Sequence, residues 1–538
     1  MAIKCPSCGG KMAFNIPAQG LKCHHCSSEM QVDDYSLLNE AEVNADTYTV
    51  TVYTCPSCGA ELSAPDEQTV AYCSYCGSES HLTMKQEEAI RPRLIIPFKI
   101  SKEEAVTTYE KALKWRPYVP KELKEGEHLD SFRGIYIPYL NYELDIPDNT
   151  FELRATKDYT EGDWDYHEEY KVDVEIGGTI KGISFDASSS FDDSIAREIA
   201  PFNISEGKDF SEAYLAGFYS DKLTTPPETY SDMVEQMAID AIYSAIGERA
   251  GNLEIIAPKK YSDRKEQTGV NGYRHRVGLF PVWFLTWKHK RRVAYSVMNG
   301  QTGALSMDIP VNKKNFLGVS GIATVILFVI LSLIPMFILP KTISWVAAVF
   351  LMISSIVLSS EISKIYYREN HIFNIGNVNI NEKQKQEQKQ KNKKKKAEWS
   401  KKKKNRVALF ILLSSVFIVF PLILAFFSIM EMKGLTIPAI YAITLFFQII
   451  LFIKTTVRAS KIEKKTAIIP MLFGIIVLGI GLVIGIKNPV HDYWYYGIAI
   501  LCLLVMLGNI ISMINYLNYL TTRPVPDFFR REGADHGK

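Results

Sequence analysis

The sequence predicts a multidomain chain with two small N-terminal β units, a soluble α+β domain, and an all-α C-terminal region of six transmembrane helices. Three observations predict it. Four Cys-x-x-Cys pairs stand in two matched sets within the first 76 residues. A stretch of mixed polarity then runs to residue 312. Beyond it lie six apolar runs, each roughly the twenty residues a helix needs to cross a bilayer.

In the first set Cys5-Pro-Ser-Cys8 is followed by Cys23-His-His-Cys26; in the second, Cys55-Pro-Ser-Cys58 is followed by Cys73-Ser-Tyr-Cys76. In both, fourteen residues separate the inner cysteines. Two residues between cysteines let both sulfurs of a tight knuckle face one ion. A second knuckle returned by a short hairpin completes a tetrahedral thiolate site, the geometry zinc accepts. Gly9, Gly59 and Gly77 follow their knuckles, where a positive φ closes the turn. The repeat predicts zinc ribbons at 1–30 and 53–80 joined by a linker over 31–52. The ligands would be Cys5, Cys8, Cys23 and Cys26 for one ion, and Cys55, Cys58, Cys73 and Cys76 for the other. With all four positions filled by protein, both zinc ions would be structural.

Other readings of these cysteines are weaker. Disulfides need an oxidising compartment, and no signal peptide precedes Cys5. A thioredoxin-like site wants one Cys-x-x-Cys at a βαβ junction. His24 or His25 could replace a cysteine, but the cysteine set is already complete. Cys502 lies in an apolar run and reads as small and buried.

The net charge of +2 conceals strong segregation. Residues 1–90 carry four lysines and no arginine against twelve Asp or Glu. Nucleic-acid binding rests on Lys and Arg meeting phosphate, so the ribbons look built for protein.

The soluble α+β domain is expected over 91–312. Leu94–Ile100 reads as a strand, and Ser101-Lys-Glu-Glu104 is a capping box opening a helix to about Trp115. Gly134–Asp145 is a strand whose Pro138 suggests an edge or a bulge, and Gly278–Trp287 repeats its aromatic-proline pattern. Val293–Met298 and Ala304–Met307 read as a hairpin. Helices are expected at Ser190–Ile199, Ser211–Asp221 and Ser231–Ile246. The acidic run Asp158–Glu169 reads as a solvated hairpin tip, since its spacing fits no calcium loop. The aromatic residues are expected to fill the core.

The expected spans are Phe316–Leu339 and Thr342–Ser360 (316–360 in all), then Val407–Met430, Leu435–Ile453, Ala467–Ile486 and Tyr493–Tyr516 (407–520). Connections at Pro340-Lys341, Glu431–Gly434 and Lys487–Asp492 carry one lysine each, whereas Glu361–Arg406 carries fifteen Lys or Arg and Lys454–Thr466 five. Positive loops stay in the cytoplasm. The ribbons, the α+β domain, the basic loop 361–406 and the tail 521–538 are therefore expected on the cytoplasmic side of a bacterial cell membrane. No span carries a mid-membrane charge of the kind that marks an ion path. Gln448, Asn509 and Asn515 read as interhelical hydrogen-bond partners, and Gly481-x-x-x-Gly485 as a close helix contact. The low-complexity run Lys383–Arg406 is expected to be drawn to anionic lipid.

The two ribbons, followed in order by "IIPFKISKEEA", "GIYIPYLNYELD", "FDASSSFDD", "YLAGFYSDK", "FPVWFLTW" and "VMNGQTG", resemble a family of double zinc-ribbon membrane proteins of Gram-positive bacteria. Its members are called TFIIB-type zinc-ribbon proteins and are sometimes misnamed as primosomal helicases. The resemblance covers roughly residues 1–312, and the six-span tail is longer than the family pattern. It implies the eight ribbon cysteines as zinc ligands. It also implies a membrane-anchored partner of a phage-shock-like envelope-stress system that recruits cytosolic proteins. The helicase label has no support in the chain, which lacks a Gly-x-x-x-x-Gly-Lys-Ser/Thr phosphate cradle.

No catalytic constellation stands out: the histidines of the soluble region are scattered, with no Gly-x-Ser-x-Gly or His-Glu-x-x-His. The sequence thus predicts a membrane-anchored zinc-ribbon adaptor for cytosolic proteins, its helices free to pair with another copy or a second membrane subunit. The competing readings are a transporter or channel subunit with a regulatory ribbon domain, and a membrane-tethered nucleic-acid binder.

Overall fold

A computed structural model describes residues 3–38, 47–64, 73–78, 83–332, 339–369, 436–459 and 467–528. The first ribbon is a three-stranded antiparallel sheet of β1 (Met12–Asn15), β2 (Gly20–Cys23) and β3 (Glu29–Met30). The stretch expected as a linker carries helix α1 (Val32–Leu38) and most of strand β4 (Thr47–Thr54). The second ribbon is not a separate small unit. Its strands β4 and β5 (Glu61–Ala64), with β6 (Thr83–Ile90), join the large sheet of the soluble domain.

That sheet has thirteen strands among the described residues. Its centre is the pair β8 (Arg133–Glu161) and β13 (Arg274–His289), the two aromatic-proline segments, which are each other's antiparallel partners around Ile137 and Phe280. Pro138 is therefore in an interior strand. It survives there because β8 changes neighbour at that point, from β11 (Tyr219–Asp221) to β9 (Trp164–Asp186). The Pro138 carbonyl faces that changeover and accepts from Ala187 N–H at 2.8 Å, so the missing proline N–H falls where no ladder bond is needed. Pro281 holds the matching place: its carbonyl accepts from Gly300 N–H at 2.8 Å, where β14 (Arg292–Asn299) ends.

The helix with the predicted capping box is α2 (Lys102–Lys114). The Ser101 hydroxyl accepts from Glu104 N–H, and the Glu104 carboxylate accepts from Ser101 N–H at 2.8 Å. The acidic run caps the long β8–β9 hairpin, which turns between Glu161 and Trp164. Two expectations fail in part. Ser211–Asp221 is a short 3₁₀ turn (Glu212–Leu215) followed by β11, because Tyr219–Asp221 fills the slot between β8 and β5. Within Leu94–Ile100 only Leu94–Ile95 is paired strand, and Pro97 has no N–H to continue a ladder.

The sheet buries aromatic residues on both faces, and each ribbon packs against one face. Phe14, Leu21 and Cys5 of the first ribbon share a core with Phe98, Tyr136, Phe218 and Trp283. Tyr53, Cys58 and Tyr75 of the second share a core with Ile135, Ile137, Phe280 and Phe284. Side chains alternate along β8 and β13, so the two ribbon cores sit on opposite faces of one sheet.

The described residues hold four helices long and apolar enough to cross a membrane, not six: Pro340–Ile365, Ile437–Ala459, Ile468–Lys487 and Tyr493–Leu520. The expected span Val407–Met430 and the basic run Lys383–Arg406 lie outside the described residues. Of Phe316–Leu339, residues 333–338 also lie outside, and the rest begins as helix Lys313–Ser332. On Ile468–Lys487, Ile469, Phe473, Ile476, Ile480 and Val483 form an exposed row, while Met471, Gly474, Leu478 and Gly481 are buried. Such a bare apolar row suits lipid, and these helices mark a membrane protein.

Asn509, Gln448 and Gly481 pack as expected. Asn509 Nδ2 donates to Ser354 and Ser355 hydroxyls at 2.9 and 3.1 Å, and Gln448 Nε2 to the Met471 carbonyl at 3.3 Å. Gly481 lies under the Tyr441 ring, where a Cβ would come within 2.3 Å of it. Cys502 is fully buried in an apolar cluster that includes Ala348, Leu351, Leu478 and Ala499. Lys341 meets Asn488, which brings the ends beside the short connections to one side, and Arg458 meets Ser363 at the opposite ends, beside the basic connections. The ends beside the basic connections lie together on the other, where the soluble domain docks.

Candidate metal centres

Each centre is built from two knuckles with one backbone plan. The N–H of the residue after the second cysteine donates to the carbonyl of the first: Gly9 to Cys5 and Gly59 to Cys55 at 2.8 Å, Gly77 to Cys73 at 2.9 Å, Ser27 to Cys23 at 3.1 Å. The first cysteine's N–H then donates to the next carbonyl along, as from Cys5 to Gly10 at 2.7 Å. That closure puts the residue after the second cysteine at positive φ: 67° at Gly9, 75° at Gly59 and 65° at Gly77. In the fourth knuckle Ser27 takes the same position at 59°, a region where a Cβ is strained.

These turns bring the eight predicted ligands together in two groups of four. Within each group all sulfurs lie within 4.8 Å of one another. Cys5–Cys26 and Cys8–Cys23 are 3.6 Å apart, and Cys55–Cys76 and Cys58–Cys73 are 3.7 Å apart. A tetrahedral site with metal–sulfur bonds of about 2.3 Å has edges of about 3.8 Å, so both groups could hold a metal ion. Proton sharing supports the fit. In the second centre Cys55 and Cys76 are held below the usual thiol range, and Cys58 and Cys73 are pushed above it, chiefly by hydrogen bonds among the four sulfurs. Four sulfurs this close cannot all be thiolates without a cation among them. In the first, the Ser28 hydroxyl lies 3.1 Å from both Cys5 and Cys26 and draws their thiols down. His24 and His25 belong to neither group.

The two centres differ in exposure. Cys8 and Cys26 of the first are exposed, whereas all four sulfurs of the second are buried. Gly10 is pressed against the first centre: a Cβ there would meet His25 Cβ at 2.9 Å and Cys8 Sγ at 3.2 Å. The second is enclosed by the domain. Tyr75, inside the knuckle Cys73-Ser-Tyr-Cys76, donates to Asp221 Oδ2 at 2.5 Å, and Ser188 donates to the same oxygen. Tyr295 donates to the Tyr75 carbonyl at 2.6 Å and Thr286 to the Ser74 carbonyl. Burial pushes the Asp221 carboxyl up to about 6 against those two donors.

The chain beyond the last apolar helix closes the second centre. Arg523–Pro524 pairs with β14, Arg523 forms ion pairs with Asp192 at 3.3 Å and Asp308 at 3.5 Å, and Phe528 packs edge-on to Tyr75. Sequence reading missed Asp221, Arg523 and Phe528. One signal was available: the second knuckle of the second set carries Tyr75 where that of the first set carries His25, an aromatic side chain suited to a covered knuckle.

No family model matches the chain, and no solved structure matches it. It is similar to an uncharacterized protein of Bacillus subtilis strain 168, YdjG, with 28% identity over 332 residues. The alignment covers 60% of this chain and 94% of that protein, so a large part of this chain has no counterpart in it.

Proposed function

We propose that the protein is a membrane-anchored zinc-ribbon adaptor that gathers cytosolic proteins at the bilayer. The observation that carries this reading is the difference between the two centres. The second is enclosed by the sheet and holds the soluble domain together. The first stands at the surface with two ligands exposed, which suits a partner protein, and the acidic excess of residues 1–90 as a whole, twelve Asp or Glu against four Lys, disfavours nucleic-acid phosphate. Zinc is the ion in both centres, since a closed four-thiolate tetrahedron with no open position is its structural form. The protein lies in a bacterial cell membrane. The soluble domain faces the cytoplasm, because it docks at the helix ends whose connections are basic. A role in envelope stress rests on the family resemblance.

The test is recovery from native membranes of the full chain and of a Cys8→Ser/Cys26→Ser variant that remains inserted and folded. A defined cytosolic protein that accompanies the native chain and is lost in the variant supports recruitment by the first ribbon. Lipid alone from both would overturn it, and ion flux in proteoliposomes would then test the channel-subunit reading.

A further inference from the structure

We infer that the turn Trp115–Pro120 is a second, peripheral membrane contact, which seats the soluble domain on anionic phospholipid headgroups. Trp115 ends α2 and is 86% exposed, the most open tryptophan among the described residues. A bare indole costs solubility, so it wants an occupant, and tryptophan favours the depth of the headgroups, where its ring is half wet.

The turn's position names that occupant. Three residues on, the Tyr118 carbonyl accepts from Asn312 N–H at 2.6 Å, and its ring packs on Phe316 at 5.1 Å. Phe316 lies in the first turn of the apolar helix Lys313–Ser332. The adjacent Val311 is clasped through both N–H and carbonyl by Asn518, at 2.6 and 2.7 Å. Asn518 is in the last turn of the apolar helix Tyr493–Leu520. Two helix ends thus fix the turn beside the edge of the bilayer.

Charge narrows the class of lipid. From residue 111 to 124 the chain holds five basic residues, Lys111, Lys114, Arg116, Lys121 and Lys124, against one acidic, Glu122. All five are exposed, and Lys313 and Lys314 add to them at the helix entry. Basic residues at this depth draw anionic headgroups. The contact depends on the membrane character of the helices and not on any adaptor role.

The test uses the full chain in nanodiscs of phosphatidylcholine with phosphatidylglycerol, and in phosphatidylcholine alone. Subtracting the emission of Trp115→Phe from that of the native protein isolates Trp115 among the seven tryptophans. In phosphatidylglycerol discs its emission should be quenched by brominated acyl chains and shielded from acrylamide. That shielding should be lost in a Lys114→Glu/Arg116→Glu/Lys121→Glu/Lys124→Glu variant. Equal acrylamide access in both discs, with no quenching by brominated lipid, would overturn the proposal. Shielding that ignores both phosphatidylglycerol and the charge reversals would overturn its anionic-lipid assignment.

Discussion

The Phe528 amide donates to the Cys58 carbonyl at 2.7 Å, so the chain emerging from the last apolar helix ends its described path on a knuckle of the second metal centre. Phe528 is 5% exposed and packs with Tyr75, and through it with Phe284. Truncating such a ring costs about 3–5 kcal/mol. Phe528→Ala should lower the melting temperature of the soluble domain and quicken metal loss from the second centre. Metal loss from the first should be unchanged. Chelator-release kinetics of Phe528→Ala in the native background would measure the first centre, and in a Cys8→Ser/Cys26→Ser background, which leaves only the second centre, would measure the second.

Chelator should strip the two centres of the native protein in separate phases. Cys8 and Cys26 are open to a competing ligand, whereas the second centre offers no exposed sulfur. The fast phase should carry half of the bound metal and vanish in Cys8→Ser/Cys26→Ser. One phase releasing all the metal would show that the burial difference does not govern access.

Ser27 makes the fourth knuckle a place to gain stability. Its φ of 59° costs a residue with a Cβ roughly 1–2 kcal/mol, and glycine removes that strain while regaining some chain entropy in the unfolded state. Ser27→Gly should slow metal release from the first centre. Gly10→Ala should speed it, because the new methyl meets His25 Cβ, which its own backbone holds in place. The two variants moving the fast phase in the same direction would refute this account.

The cysteine pattern was legible because a knuckle is local: its geometry is set by six consecutive residues and repeated four times. The Ser101–Glu104 capping box and the hairpin tip at Glu161–Trp164 were legible for the same reason. The parts that were not depend on distant partners. Most of Thr47–Thr54, residues 47–52, reads as linker until Glu61–Ala64 pairs with that strand, and β5 in turn needs Tyr219–Asp221, some 160 residues on. Nothing local says that residues after the last apolar helix return to Cys58. The six apolar runs were read from length and composition alone, and four of them stand as complete apolar helices among the described residues.

Asp221 predicts a pH dependence of known sign. Its folded carboxyl is raised to about 6 from an ordinary 3.8 by burial. The native state therefore holds this proton more tightly than the unfolded chain. Its contribution is least unfavourable below about pH 4, and stability falls as pH rises toward 6 and levels off above. The Asn side chain of Asp221→Asn keeps an oxygen for Tyr75 and Ser188 and has no proton to lose. Relative to the native chain, the variant should gain about 1–2 kcal/mol between pH 5 and pH 8. Taking the difference between the two proteins at each pH cancels the acid sensitivity of the thiolate centres. A difference in melting temperature that stays flat across this range would rule out the raised carboxyl.

Arg523 decides whether the last apolar helix is fastened to the soluble domain or merely precedes it. Its guanidinium is 13% exposed, bridges Asp192 and Asp308, and lies over the Tyr295 ring at 5.5 Å. Arg292 adds a second tie from the sheet, donating to the carbonyls of Tyr519 at 2.8 Å and Thr522 at 2.5 Å. Removing one partner of a buried ion pair leaves carboxylates uncompensated, at a cost of about 3–5 kcal/mol. Arg523→Ala should therefore release residues 521–528 from β14 and uncover the Cys58 knuckle behind Phe528. Limited proteolysis should then cut the tail of the variant and spare that of the native chain. The loss should be smaller in Arg523→Lys, which keeps a charge for one of the two carboxylates. Equal resistance in all three would mean that Arg292 and the packing of Phe528 hold the tail without it.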